Sequence, residues 1–159
     1  MSESLSRLAD LIRRESGVSL ADAQLPSLRA AVLRAGGVAP EEFERRLGER
    51  RHERVLMTRL VDEVTVKETF LFRHPTDFAS IDWHGMLERA RAGGRHAVHV
   101  WCAACSTGEE AYTLAVLALE AFWPARAPVE VLATDIAASA LASAAAGRYG
   151  VCSAAPSSS

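Results

Sequence analysis

The stretch from Val98 to Asp135 constrains the fold more than any other part of the chain. Val98-His99-Val100-Trp101 reads as a buried strand, and Cys102 to Cys105 as a turn of small residues. A helix then opens at Ser106 or Thr107, continues through Leu114, Val116, Leu117 and Leu119, and is stopped by Pro124. Val129 to Ala133 forms a second apolar strand that ends in Thr134-Asp135. Two parallel strands joined by one helix make a βαβ unit, and such sheets bind ligands beyond the carboxyl ends of their strands. That edge holds the small-residue turn and, one strand away, an acid suited to the hydroxyls of a ribose. The pairing points to a nucleoside-containing cofactor.

Gly108 is the only glycine of the turn, so the dinucleotide fingerprint is absent. Glu109 and Glu110 at the helix start repel a pyrophosphate and favour a ligand that carries positive charge. S-adenosylmethionine, with an ammonium, a sulfonium and a ribose, fits that description. Each residue alone also has a plainer reading. Ser106 with Glu109, or Thr107 with Glu110, makes an ordinary capping box worth about 1 kcal/mol.

The residues Val100-Trp101-x-Ala103-Ala104-Cys105-Ser106-Thr107-Gly108-Glu109-Glu110-Ala111-Tyr112 resemble the cofactor motif of the CheR-type chemoreceptor glutamate methyltransferases. So does the run from Val64 to Arg73, and Ala133-Thr134-Asp135-Ile136 and Gly147-Arg148-Tyr149 follow in order. The resemblance covers residues 5 to 150. It implies an α/β chain in which an all-helical N-terminal domain precedes an incomplete Rossmann-like S-adenosylmethionine-dependent methyltransferase domain. The expected divisions are 1–63 for the helical domain and 64–95 for a linker with a leading helix. The first βαβ part then spans 96–150, and a disordered tail spans 151–159.

Within the helical part, Leu5, Leu8, Leu11 and Ile12 share one face of a helix ended by Gly17. A second helix is expected over Asp22 to Ala35, stopping at Gly36-Gly37. A third starts at Pro40-Glu41-Glu42, and a fourth runs from about Arg51 to Glu63 with Val55, Leu56, Leu60 and Val64 inward. Lys and Arg number 16 in residues 1–95 and 2 in 96–159, against 15 and 5 acids, so the halves carry +1 and −3. Arg46, Arg50 and Arg54 lie at i, i+4 spacing. The resemblance implies that such a face meets acidic receptor helices. The plainer reading is a solvated surface paired with Glu42, Glu49 and Glu53. Net charge is slightly negative and no basic patch is interleaved with aromatics, which argues against nucleic-acid binding.

Between the two parts, Val64-Thr65-Val66 alternates like extended chain, and Phe70-Leu71-Phe72 is expected to be mostly buried. The resemblance implies that Thr69 and Arg73 enter the cofactor pocket. There Arg73 would align a carboxylate as the catalytic residue, unless it pairs with Asp77. Lys67 stands where the family more usually has asparagine. Residues 76 to 92 read as one helix carrying Phe78, Ile81, Met86 and Leu87, and Ala137 to Ala146 as an alanine-rich helix.

By the same resemblance Thr69, Arg73, Gly108, Glu110 and Asp135 bind S-adenosyl-L-methionine. The partner is then the cytoplasmic helices of methyl-accepting chemoreceptors, and the product a glutamate methyl ester. No apolar run is long enough to span a bilayer and no signal-peptide core is present, so a cytoplasmic address is expected. The three cysteines make no even disulfide framework. Cys102 and Cys105 read as small buried thiols, with only Cys152 left to extend them to a metal site, so no metal is expected. Family members run on for roughly another hundred residues and a sheet of this class has about five or six strands, so a truncated chain is expected. Two other readings stay open: an inactive remnant or helical receptor-interaction module, and a CxxC redox protein.

Overall fold

The computed structural model describes residues 3–49 and 53–150, apart from the side chain of Asp22. The expected tail, Cys152, Arg50 and the start of the fourth helix at Arg51 lie outside the described residues. The rest divides into two compact units. One holds the residues up to Val66 with Ile136–Ala138, and the other holds Lys67–Asp135 and the residues from Ser139 onward.

The first unit is helical. Helix α1 (Glu3–Ser16) buries Leu5, Leu8 and Ile12, which recur at helical spacing. Gly17, at φ +76°, closes it by donating its N–H to Arg13 O at 3.0 Å. A 3-10 turn over Asp22–Gln24 leads into α2 (Leu25–Gly36), which has Pro26 in its first turn. The left-handed Gly37 ends α2 by returning its N–H to Leu33 O. Helix α3 (Pro40–Leu47) and helix α4 (Glu53–Val64) complete the unit. Leu8, Ile12, Leu28, Val32, Phe43 and Leu60 are all at most 1% exposed. A side chain on Gly36 would fall 2.5 Å from the Phe43 ring, so the glycine is what lets that ring seat. Two expectations need correcting. Val55 is exposed, because Leu56, Leu60 and Val64 hold the i, i+4 stripe that faces the core and Val55 lies beside it. The helix also runs through Val64, where extended chain was expected. Thr65 ties itself back to Val61 O through both its N–H and its hydroxyl, at 3.1 and 2.6 Å.

The second unit is built on strands β1 (Val98–Ala103) and β2 (Val129–Thr134). They pair in parallel from Val98 opposite Val129 to Ala103 opposite Thr134. Helix α7 (Glu109–Phe122) connects them, and α8 (Ala138–Ala146) follows β2. Val100 and Cys102, with Val129, Val131 and Ala133, pack into a core with Trp83, Leu114 and Ala118. The alternate residues face the other way, leaving Trp101 and Leu132 70% and 64% exposed. The result is an α/β unit whose two-stranded sheet, among the described residues, is packed on one face.

The helix expected over 76–92 is two helices, α5 (Pro75–Ala79) and α6 (Trp83–Ala92). Ser80 closes the first onto Asp77 O, and Asp82 caps the second by accepting from Gly85 N at 2.9 Å. Phe72 is 40% exposed rather than buried. Its backbone turns left-handed at φ +58° and donates its N–H to Thr113 Oγ1, which swings the ring outward from the run that Phe70 begins.

These packing differences set two opposite expectations. Phe43→Ala should cost about 3–5 kcal/mol of stability, whereas Leu132→Ser should stay within about 0.5 kcal/mol. Urea unfolding of the two variants measures both.

Candidate functional site at the strand ends

The chain leaves β1 through a loop in which every second residue is left-handed: Ala104 at φ +55°, Ser106 at +51° and Gly108 at +99°. Only glycine adopts that region freely, so Ala104 and Ser106 hold strained backbone that surrounding contacts must impose. Three contacts do so. Cys105 donates its N–H to Thr134 O at 2.9 Å, extending the strand pairing by one bond. Ser106 donates its N–H to the Asp135 carboxylate at 2.7 Å. Tyr149 donates its hydroxyl to Thr107 O, also at 2.7 Å.

The helix that follows starts later than the sequence suggests, and neither capping box forms. Gly108 is the residue before α7, and Thr107 Oγ1 donates to Glu109 Oε2 at 2.6 Å instead of capping. Ser106 Oγ is buried with no hydrogen-bond partner among the described residues. Capping boxes need an extended backbone at the cap, and the left-handed turn at Ser106 removes it.

The structure places the candidate residues as follows. Asp135 sits just past β2, half-buried, with its carboxylate clamping the neighbouring loop. Glu110 is exposed on the first turn of α7 and accepts from the Cys102 thiol at 3.4 Å, whereas Glu109 beside it is 5% exposed. Gly108 is buried. A side chain there would meet Ala144 Cβ and Tyr149 Oη at 2.7 Å, so its bareness admits α8 and Tyr149. Thr69 is half-buried. Arg73 is exposed, lies 5.6 Å over the Phe70 ring and donates to Glu68 O at 3.1 Å, with no ion pair to Asp77. The Lys67 ammonium donates to Ser139 Oγ at 2.8 Å. Ser106 and Asp135 are therefore joined directly, Thr107 is bonded to Glu109 and Glu110 to Cys102 of β1, whereas Arg73 bonds within its own segment.

Sequence reasoning missed the clamping role of Asp135 and the part played by Tyr149 and Tyr112. These two rings meet edge to face at 5.3 Å, and Tyr112 donates to Ala144 O. The Gly147-Arg148-Tyr149 motif was the available signal, since Gly147 (φ +58°) would bring any side chain to 2.8 Å from Tyr112 Oη.

Burial governs the titration of the thiols. It pushes Cys102 up to about 12, reinforced by the Glu110 charge, and pushes Cys105 upward with Asp135 adding to it. Tyr149 also rises to about 12, through burial first and then the charge of Glu109. A thiol in this state is a poor nucleophile, which removes support from the redox reading. Among the described residues no group of three metal-ligating side chains occurs, and no helix is long and apolar enough to cross a membrane.

Of the stripe Arg46, Arg50 and Arg54, Arg46 is paired, Arg50 lies outside the described residues, and Arg45 beside Arg46 is paired as well. Arg46 and Arg45 both bind Glu42 at 2.8 Å, and Arg45 also reaches Glu49 at 2.7 Å. Hydrogen bonds from Arg45 and Arg46 hold the Glu42 carboxyl down to about 2. Arg54 is exposed.

Two measurements follow from this geometry. Gly108→Ala should cost about 1–3 kcal/mol, because the new methyl must displace Ala144 or Tyr149 from a strained position, and thermal unfolding reads it. Native Cys102 should alkylate with iodoacetamide at pH 8 about a thousandfold more slowly than a free thiol, as mapped by mass spectrometry. Since its folded value lies above the ordinary 9.0, its share of stability is full below pH 9.0 and is lost as pH rises through about 12.

Comparison with known proteins gives a consistent picture. Residues 67–155 match the family described as CheR methyltransferase, SAM binding domain. Chemotaxis protein methyltransferase 1 of Pseudomonas aeruginosa is 35% identical over 95 residues, covering 57% of this chain and 34% of that protein. The chemotaxis protein methyltransferase of Borreliella burgdorferi is 26% identical over 155 residues, 92% of this chain and 55% of the relative. An uncharacterized 104.1 kDa protein of Rhodobacter capsulatus is 32% identical over 133 residues, 71% of this chain and 13% of that protein. The chain thus spans about half the length, or less, of these relatives. The cofactor of this domain is S-adenosyl-L-methionine, and the residues present fit it. The exposed Glu110 carboxylate suits its ammonium, and the orphaned Ser106 hydroxyl lies buried in the same loop.

Proposed function

The chain belongs to the CheR methyltransferase family, and we propose that it serves as a cytoplasmic protein-glutamate O-methyltransferase whose acceptors are glutamates on chemoreceptor helices. The observation that supports this most is the junction of Asp135, at the end of β2, with the loop that follows β1. It gathers an acid, a loop of small residues and the open carboxylate of Glu110 at the edge where α/β sheets hold ligands.

When bound, S-adenosylmethionine supplies an electrophilic methyl group on a sulfonium, which departs as a neutral thioether. The acceptor glutamate is already ionised at neutral pH, so no residue of this chain has to act as a general base. The work left to the protein is binding, alignment and electrostatics. In this reading Glu110 meets the cofactor's ammonium, with the Cys102 thiol fixing its carboxylate, and Asp135 meets the ribose while it holds the loop. Gly108 keeps the loop close to α8. Thr69 lines the pocket, and Arg73 aligns a carboxylate, which requires it to leave Glu68 O. Lys67 is drawn to Ser139.

Calorimetric titration with S-adenosylhomocysteine tests the site. Glu110→Gln and Asp135→Asn should each weaken binding by about tenfold or more, since each removes a charge-assisted hydrogen bond. Both variants retain an oxygen able to accept the Cys102 thiol or the Ser106 N–H, so the loop itself is spared. Methyl transfer to a receptor cytoplasmic fragment should be alkali-labile, as an ester is. A folded chain that binds no S-adenosylhomocysteine would leave the receptor-interaction module as the reading that stands.

A further inference from the structure

The cations of the second unit gather at the end of the sheet opposite the candidate site. Residues 67–150 hold seven Lys and Arg, and four of them, Arg89, Arg91, Arg95 and Arg126, flank the amino ends of the strands. Val98 N donates to Pro128 O at 2.9 Å, which sets the starts of β1 and β2 side by side. Helix α6 ends there too. Its closing turn returns the Arg95 N–H to Ala90 O at 2.9 Å, with Gly94 left-handed at φ +76°, and this folds Arg95 back toward Arg89. Arg89, Arg95 and His99 line a cavity of about 200 Å³ that has Met86, Ala90 and Val98 among its apolar walls. All four arginines are exposed, and none has a side-chain hydrogen bond or ion pair among the described residues. In the first unit, by contrast, Arg7, Arg34, Arg45 and Arg46 each hold a carboxylate. Of the acids at this end, Glu130 lies 3.8 Å from His99 Nδ1, and none lines the cavity.

We propose that this end of the second unit docks an acidic segment of a partner protein, with a carboxylate between Arg89 and Arg95 and a neighbouring apolar side chain in the cavity. The unpaired arginines set the sign of the partner, since complementary charge steers and orients an encounter. The apolar walls set its class. A polyphosphate chain leaves Met86 and Val98 unused, whereas a peptide with acids beside a leucine uses walls and arginines together. The surface is separate from the cofactor reading. Six-residue strands, at about 3.3 Å per residue, put about 16 Å between it and the loop of Asp135 and Glu110, so a docked segment leaves that loop open. The plainer role of basic residues in a last helical turn is to complement the helix dipole. That role accounts for Arg89 and Arg91, but it requires neither Arg126 nor a cavity.

Fluorescence anisotropy tests it, with the full chain titrated into a fluorescein-labelled peptide of sequence Glu-Glu-Glu-Leu-Glu-Glu-Glu. Saturable binding that weakens as salt is raised is expected. Arg89→Glu combined with Arg95→Glu should weaken it about tenfold or more, because repulsion replaces attraction, while the melting temperature stays within about 2 °C of wild type. Arg89→Gln with Arg95→Gln, which removes the charges without reversing them, carries the test if the first pair fails to fold. Serine in place of the peptide's leucine should weaken binding about three- to tenfold, through the lost apolar burial. Arg13→Glu with Arg14→Glu on α1, an equal change of charge elsewhere, should leave binding within about twofold of wild type. Wild-type protein that shows no saturable binding overturns the proposal. So does an equal loss from the α1 pair, which shows general charge attraction. A melting temperature that falls in the Arg89 and Arg95 variants while peptide affinity is unmoved overturns it as well, by assigning these arginines to the helix end. A single-stranded DNA oligonucleotide of the same charge that binds more tightly than the peptide overturns the protein partner.

Discussion

The hydrogen bond from Ser106 N to the Asp135 carboxylate is the constraint on which the rest of the site depends. Strand pairing ends at Ala103 and Thr134, and one further bond from Cys105 to Thr134 O carries it past the sheet. Beyond that point nothing regular holds the chain, yet three left-handed residues must follow in five positions. A buried N–H left unpaired is costly, so the carboxylate fixes the turn by being the acceptor within reach. With Ser106 fixed, Gly108 falls where α8 and Tyr149 pack. Helix α7 then begins at Glu109 and not earlier.

The two adjacent acids show how that placement divides chemistry between neighbours. Glu109 is turned inward and takes the Thr107 hydroxyl, whereas Glu110 faces outward and takes only the weak Cys102 thiol. Both gain from the positive end of the helix dipole. Only the outward one is exposed at the surface. A helical rotation of about 100° per residue produces the split, and it depends on where the helix starts.

Much of the architecture was legible in the residues. Apolar spacing, Gly17, Gly37 and Pro40 located the helices of the first unit, and the two apolar runs located parallel strands. Errors arose where several local solutions compete. Asp82 lies within a stretch whose apolar spacing suits a continuous helix, and its capping of Gly85 wins. Val55 has the same character as Leu56 but sits beside the stripe that Leu60 and Val64 share. At the site, Ser106 and Thr107 looked like caps because the sequence around them carries that pattern. What overrides the pattern is an acid 29 positions away, beyond the reach of any local rule. The positions of Asp135 and Glu110 near the strand ends could be read in advance, whereas the bond by which Asp135 clamps the loop could not.

The loop is also held from more than one side. Thr113, on the inner face of α7, accepts from Phe72 N while donating to Glu109 O, so the segment entering the unit is tied to the first turn of the helix. Tyr149 reaches Thr107 O from beyond α8. Its hydroxyl is kept protonated by burial and by the charge of Glu109, which is the state a donor requires. Segments after β2 and after α8 therefore converge on the five residues of loop, and the segment before β1 is tied to the helix that follows it. A strained backbone persists only where its surroundings over-determine it, and here they do so through bonds that come from far along the chain. That arrangement accounts for a loop that keeps an uncapped helix start and, among the described residues, an unpartnered hydroxyl in place.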